Sequence, residues 1–309
     1  MNVQIKIKDI TFNNPIWSAS GTFNYGREFQ IFFDVNALGA IVTKTVTLKP
    51  TIGNRPPRIV ETPSGLLNSI GLENDGAEAF IKKAYPFLMS LKTKVIISVA
   101  ANNEKELIEC IRMLDKLSFP TAFEINLSCP NIHHPQQGCV IAQDKHRIKA
   151  FLTTARRHTD KLIIAKLTPN VTDIAEMAEI AEQAQADAVS LVNTYLGLAV
   201  NAYTMKPVLG NTIGGLSGPA IKPLAQHAVW KAFHQISIPI IGVGGIMNGI
   251  DAAEFMLCGA SAVQIGTANF ISPNRIMSVL KEFKHYLGQQ KITALNQLIG
   301  GLKQTMPME

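Results

Sequence analysis

Phe123-Glu-Ile-Asn-Leu-Ser-Cys-Pro-Asn131 runs from a short apolar strand straight into two amides and a thiol held by a proline. Neighbouring runs repeat the design, apolar along their length and polar where they end: Ala40-Ile-Val-Thr-Lys44, Leu162-Ile-Ile-Ala-Lys166 and Ala188-Val-Ser-Leu-Val-Asn193. Buried parallel strands are near-continuous in Val, Ile and Leu. A lysine at such a strand end without an anionic partner costs several kcal/mol or loses its proton. The pattern therefore predicts a shared pocket in which something bound satisfies these groups.

Eight short apolar runs recur along the chain, at 15–18, 40–44, 95–99, 123–127, 163–167, 188–192, 239–243 and 262–265. Between most of them lies an amphipathic stretch of helical length, such as 172–183 with Ile174, Met177, Ala178 and Ala181 on one face. This alternation means parallel β with α crossovers, and eight units predict an α/β fold of the (β/α)8 TIM-barrel type. No linker, repeat or low-complexity segment divides the sequence, so residues 1–309 read as a single domain. Two connections exceed the usual length: 46–94, after strand 2, and 194–238, after strand 6. Long loops at that end of a barrel form pockets, and Ser64-Gly-Leu-Leu-Asn-Ser-Ile-Gly-Leu-Glu-Asn74 reads as a binding loop.

A hydrophobic content of 47 % is ample for a large core. The opening residues carry no apolar signal region, and no stretch approaches the ~18 uninterrupted apolar residues of a membrane span. Cys110, Cys129, Cys139 and Cys258 are widely spaced, as reduced thiols are. The reading is a cytoplasmic protein with no membrane association. The charge of +6 comes from scattered basic residues. The compact cluster at 145–157, with Arg156-Arg157, falls in an amphipathic helical pattern and reads as a solvated face, so no nucleic-acid partner is expected. Mild positive charge suits an anionic small molecule. His133, His134, Cys129 and Cys139 lack metal-ligand spacing, and no metal is expected.

Glycines mark an anion-binding end. The seventh run enters Gly242-Val-Gly-Gly-Ile246, the eighth enters Gly266-Thr-Ala-Asn269, and Gly214-Gly-Leu-Ser-Gly-Pro-Ala220 opens the helix after the sixth. Glycine lets backbone approach an anion closely, and helix N-termini following these loops would point N–H groups at it. Without a Gly-x-Gly-x-x-Gly unit, the expected group is a mononucleotide rather than NAD.

Together these residues resemble the dihydroorotate dehydrogenases, flavin enzymes of pyrimidine synthesis, from about position 14 to 274. The likeness rests on Ala19-Ser-Gly-Thr22, Thr43-Lys-Thr45, Leu67-Asn-Ser-Ile-Gly-Leu72, Asn126-Leu-Ser-Cys-Pro-Asn131, Lys166-Leu-Thr-Pro-Asn-Val-Thr-Asp173, Asn193-Thr194, the 214–223 segment and the two glycine turns. The resemblance implies FMN across the strand ends, bound through Ser20, Gly21, Lys44, Thr45, Asn126, Lys166, Val192, Gly218, Gly244, Gly245, Gly266 and Thr267. It implies substrate contacts from Lys44, Asn68, Ile70, Gly71, Leu72, Asn126, Asn131, Asn193 and Thr194, with Cys129 and Lys44 in the chemistry. Cys129 would take the C5 proton of dihydroorotate while a hydride leaves C6. Lys166 would stand at the flavin edge where negative charge accumulates. The four amides offer the donors and acceptors a pyrimidine needs, although an amide at a strand end can also cap a turn.

A thiol at 129 looks like the class 1 branch, since the membrane-associated branch uses serine there and carries an N-terminal extension absent from this sequence. The wording of Asn170-Val-Thr-Asp173 and Gly215-Leu-Ser-Gly-Pro-Ala-Ile-Lys-Pro223 is most similar to the type 1B catalytic subunit. That subunit is a homodimer joined in a heterotetramer to a protein carrying FAD and a [2Fe-2S] cluster, which passes electrons to NAD. Fumarate as acceptor, uracil-type reduction as in the dihydropyrimidine dehydrogenases, and a silent barrel serving as a binding scaffold are the competing readings. The segment Ile132-His-His-Pro-Gln-Gln-Gly-Cys-Val-Ile-Ala-Gln-Asp144 departs from the type 1B pattern, where a loop closing over substrate is expected. Cys139 does not match the acidic thiol of the dihydropyrimidine dehydrogenases, because Ala142 is the residue before Gln143-Asp144.

Overall fold

A computed structural model of the protein describes residues 3–128 and 141–303. Each of the eight apolar runs becomes a strand of one closed parallel barrel: β1 (Ile16–Ser18), β2 (Ala40–Val42), β3 (Lys94–Val99), β4 (Ala122–Asn126), β5 (Leu162–Lys166), β6 (Ala188–Leu191), β7 (Ile240–Val243) and β8 (Ala260–Ile265). Neighbours in the barrel are neighbours in sequence, and β8 closes on β1 through Val263 opposite Ile16. The strands are buried almost throughout, which is why they read as continuous apolar runs rather than alternating ones.

Helices wrap the outside: α1 (Gly76–Lys83), α2 (Tyr85–Met89), α3 (Glu104–Asp115), α4 (Lys145–Arg156), α5 (Ile174–Gln183), α6 (Lys222–Phe233), α7 (Gly249–Leu257), α8 (Ala268–Ile271) and α9 (Arg275–Gln289). The predicted stripe on α5 is the buried one, and the helix begins where the Asp173 carboxylate accepts from Ala175 N at 2.9 Å. The first crossover, from β1 to β2, carries only 3-10 turns at Arg27–Ile31 and Val35–Ala37.

The two long connections hold more order than loops. The first supplies strands Ile59–Thr62 and Gly65–Asn68, the second Tyr195–Leu198 and Ile213–Ser217, and the four pair into one antiparallel sheet over the barrel mouth, the cap sheet. Gly214 and Gly215 therefore do not open a helix, as the glycine pattern implied; they are strand residues packed too closely for a side chain. A Cβ on Gly215 would lie 2.0 Å from Thr194 Oγ1. Helix α6 starts only at Lys222, after Gly218 and a 3-10 turn. A hairpin of Ile5–Ile7 and Ile10–Phe12, with no forewarning in the sequence, buries Ile7 and Phe12 completely. The Phe12 ring meets Trp17 of β1 at 4.5 Å between centroids, a pairing of about 0.5–1.5 kcal/mol beyond its area.

The basic cluster on α4 is not wholly a solvated face. The Arg156 side chain is 16 % exposed and donates to Thr159 O at 3.1 Å and Lys161 O at 3.0 Å while pairing with Asp187. Asp187 also accepts from Ile163 N at 2.8 Å, so this arginine ties α4 to the start of β5 and β6. Among the described residues no helix is long and apolar enough to cross a membrane.

Candidate active site at the barrel mouth

The strand C-termini and the cap sheet enclose a cavity of about 1030 Å³, at the upper end of the range for small-molecule sites. Every site residue expected from the sequence that lies among the described residues lines it: Ser20, Gly21, Lys44, Thr45, Asn68, Ile70, Gly71, Leu72, Asn126, Lys166, Val192, Asn193, Thr194, Gly218, Gly244, Gly245, Gly266 and Thr267. Cys129, Asn131, Cys139, His133 and His134 lie outside the described residues.

Barrel register sets the floor. Asn126 pairs with Lys166, and Lys166 with Ser190, placing the last residues of β4 and β5 level with the next-to-last residue of β6. Lys166 is 5 % exposed. It does not depend on a bound group for its counter-charge, because β4 carries an acid two residues before the amide. The Lys166 ammonium lies 3.5 Å from Glu124 Oε1 and 3.4 Å from Gln264 Oε1 on β8. Gln264 Nε2 donates to the other carboxylate oxygen at 2.7 Å, and Glu124 has no exposed surface at all. Sequence reading missed both residues; the acid in an otherwise apolar buried strand was the available signal.

Lys44 is the contrasting cation. It is half-buried just past β2, its N–H donates to Asn24 O at 2.8 Å, and its ammonium pairs with no carboxylate among the described residues. Asp75 feels its charge, yet the Asp75 carboxyl is held below the usual range chiefly by Lys83, which donates to it at 2.7 Å. An anion entering the cavity therefore meets a positive group still available to it.

A belt of hydrogen bonds joins the strand ends. Thr45 Oγ1 contacts Ser20 Oγ at 3.0 Å, Ser98 Oγ at 2.9 Å and Asn126 Nδ2 at 3.3 Å, using the one donor and two acceptor sites of a hydroxyl. Asn126 Oδ1 accepts from Ser128 Oγ at 3.0 Å; that hydroxyl accepts from Asn193 Nδ2 at 2.6 Å, and Asn193 Oδ1 accepts from Thr194 N at 2.8 Å. Two of the amides expected to read a ring thus already brace one another through Ser128, the residue before Cys129. Asn68 donates to Gly215 O at 3.2 Å, and the loop beyond it is held by Asn54 N to Ile70 O at 3.0 Å and Asn74 Nδ2 to Leu72 O at 2.7 Å.

The glycine end is built of loop backbone. Nothing lies within 4 Å of a Cβ built on Gly21, whose φ is +86°, so a side chain there would occupy the cavity. Gly244 and Gly245 also adopt positive φ. The helix after them is not free to meet an anion: the α7 N-terminus is closed by its own capping box, with Asp251 N on Asn248 Oδ1 at 2.9 Å and Asn248 N on Asp251 Oδ2 at 3.1 Å. Neither described cysteine lines this cavity; burial pushes the Cys110 thiol up to about 12 and raises that of Cys258.

A parallel barrel with cations, amides and glycine turns converging at its strand C-termini defines a TIM-barrel enzyme. The chain belongs to the dihydroorotate dehydrogenase family, whose model matches residues 2–287. It is 46 % identical over 302 residues to the "dihydroorotate dehydrogenase B (NAD(+)), catalytic subunit" of Geobacter sulfurreducens, covering 98 % of both chains. The subunit of the same name from Desulforamulus reducens is 46 % identical over 301 residues, covering 97 % of this chain and 98 % of that one. In fold it matches the crystal structure of DHODH in complex with ferulenol from Eimeria tenella, with a TM-score of 0.79 at 21 % identity, over 97 % of this chain and 88 % of that one.

Proposed function

We propose that this chain oxidises dihydroorotate to orotate in pyrimidine biosynthesis as the catalytic subunit of an NAD-linked enzyme, with FMN as its resident cofactor. The observation that carries this reading is the pairing of two differently treated lysines in one cavity: Lys166 buried on its carboxylate at the floor, and Lys44 open to an incoming anion. The donor set suits FMN. Gly21, Gly218, Gly244, Gly245, Gly266 and Thr267 leave room for a phosphate against backbone, while Ser20, Thr45, Asn126, Val192 and Lys166 offer a heteroaromatic ring polar edges and an apolar wall. Bound FMN supplies the two-electron acceptor for a hydride leaving C6 of the substrate.

The remaining steps belong to the chain. Lys44 and the amides of Asn68, Asn126, Asn131 and Asn193, with Thr194 and the 70–72 backbone, bind and orient the substrate and its carboxylate. Cys129 removes the C5 proton, the thiolate being the form of a cysteine that accepts one. Ser128, bridged to Asn126 and Asn193, supports the chain where it enters Cys129. Electrons pass to NAD through a separate subunit with FAD and a [2Fe-2S] cluster, in a heterotetramer built on a homodimer of this chain; the relatives' names, catalytic subunits of an NAD(+)-linked enzyme, support the NAD-linked part of that route.

Mixing the purified protein with dihydroorotate tests the reading, since flavin absorbance near about 450 nm should bleach. Bleaching by dihydrouracil and not by dihydroorotate would transfer the chain to uracil-type chemistry. Turnover with fumarate and never with NAD, even beside a co-purified flavin and iron–sulfur protein, would remove the NAD-linked assignment.

A further inference from the structure

Glu124 is the one acid of the barrel interior described around Lys166, and nothing in the proposed reaction uses it. It does not line the cavity, whereas Lys166 and Gln264 do. Its side chain has 0 % exposure against 6 % for Lys166. A carboxylate so buried persists only if paired and hydrogen-bonded. Its tight partner is Gln264, at 2.7 Å, while Lys166 stands at 3.5 Å. The glutamine also turns its carbonyl to the ammonium, at 3.4 Å. The three groups come from β4, β5 and β8, so they cross the barrel interior and lock its most flexible member, a four-carbon stem, from two sides. The long ammonium contacts leave donor capacity on Lys166 for the cavity above.

We propose that Glu124, oriented by Gln264, is the positioning residue of Lys166, and that the triad sets the net charge under the cavity floor and through it the reduction potential of the flavin. The inference rests on the reading that FMN occupies the cavity. Removing the carboxylate charge leaves the ammonium uncompensated, which favours a reduced, more negative flavin.

Two measurements test it on the protein as purified. In the holoenzyme at mildly acidic pH, Glu124→Gln should raise the flavin potential by about tenfold in the oxidised-to-reduced equilibrium, about 30 mV for a two-electron couple. In a Lys166→Met background the same substitution should change it by less than about threefold, because the ammonium through which the carboxylate acts is gone. No shift, a lowered potential, or equal shifts in both backgrounds would overturn the proposal. The second readout needs no flavin and survives poor behaviour of either single variant. Lys166→Met should lower the melting temperature, and adding Glu124→Gln should restore part of the loss; a double variant less stable than Lys166→Met would equally overturn it. Absence of bound FMN would sink the cofactor reading and leave the triad to be judged on the melting data.

Discussion

At the residue scale, the chemistry divides between groups that the fold has already satisfied and groups left open. Glu124, Gln264, Thr45 and Ser128 are engaged on every side, whereas the Lys44 ammonium is not. In the proposed reaction the proton is abstracted by Cys129. Replacing it with alanine should lower substrate-driven flavin reduction by about two or more orders of magnitude, as loss of a general base does, with FMN content unchanged; stopped-flow reduction with dihydroorotate measures this, and unaltered turnover would remove the thiol from the mechanism. The lysines, amides and glycines were legible in the sequence because polar residues closing apolar strands stand out. Glu124 was legible only as an acid inside an apolar run; what it meets was not, since an acid within a strand looks the same in one dimension whether it faces a ring of strands or water. Only barrel closure sets Gln264 against it, 140 positions away.

At the element scale, the eight barrel strands and the helix at 172–183 were legible to within one or two residues, because burial on both faces writes itself as continuous apolar runs. The cap sheet was not. Its strand Ile59–Thr62 has no buried residue, Gly65–Asn68 has one, and the second partner of Gly65–Asn68 comes from the other long connection. Helix ends are set by side chains that can be tested. Asp173 caps α5 and accepts from Lys231 Nζ at 2.7 Å, and that lysine, before the backbone N–H groups, holds its carboxyl below the usual range. A depressed carboxyl contributes stability fully present above its unfolded pKa of about 3.9 and lost as pH falls through the lower native value. Asp173→Ala should therefore cost about 1 kcal/mol at neutral pH. In urea titrations the gap to the parent protein should persist down to about pH 4 and close below it; a gap independent of pH would count against the carboxylate as its source.

At the scale of the whole molecule, apolar side chains stand open on the outer edge of the second long connection. Leu198 is 57 % exposed, Val200 62 %, Tyr203 98 % and Met205 87 %. Exposed apolar side chains close together in the chain suit an interaction surface, and such a surface would serve the homodimer proposed above. Leu198→Lys combined with Met205→Lys should convert the protein to monomer in sedimentation velocity with its fold intact by circular dichroism; a persistent dimer would move the interface elsewhere.

The amino-acid order by itself determined the eight strands, the helices between most of them, and that lysines, amides and glycines end at a common mouth. These are local properties, carried by periodicity and by the residue types that close each apolar run. Which group meets which was decided by tertiary structure: two loops joined into one sheet through Asn68 and Gly215, Ser128 bridged two amides, and Gln264 met Glu124 across the barrel. Those pairings depend on ring closure and register, which bring distant positions together and leave no mark on the neighbours of either residue in the chain.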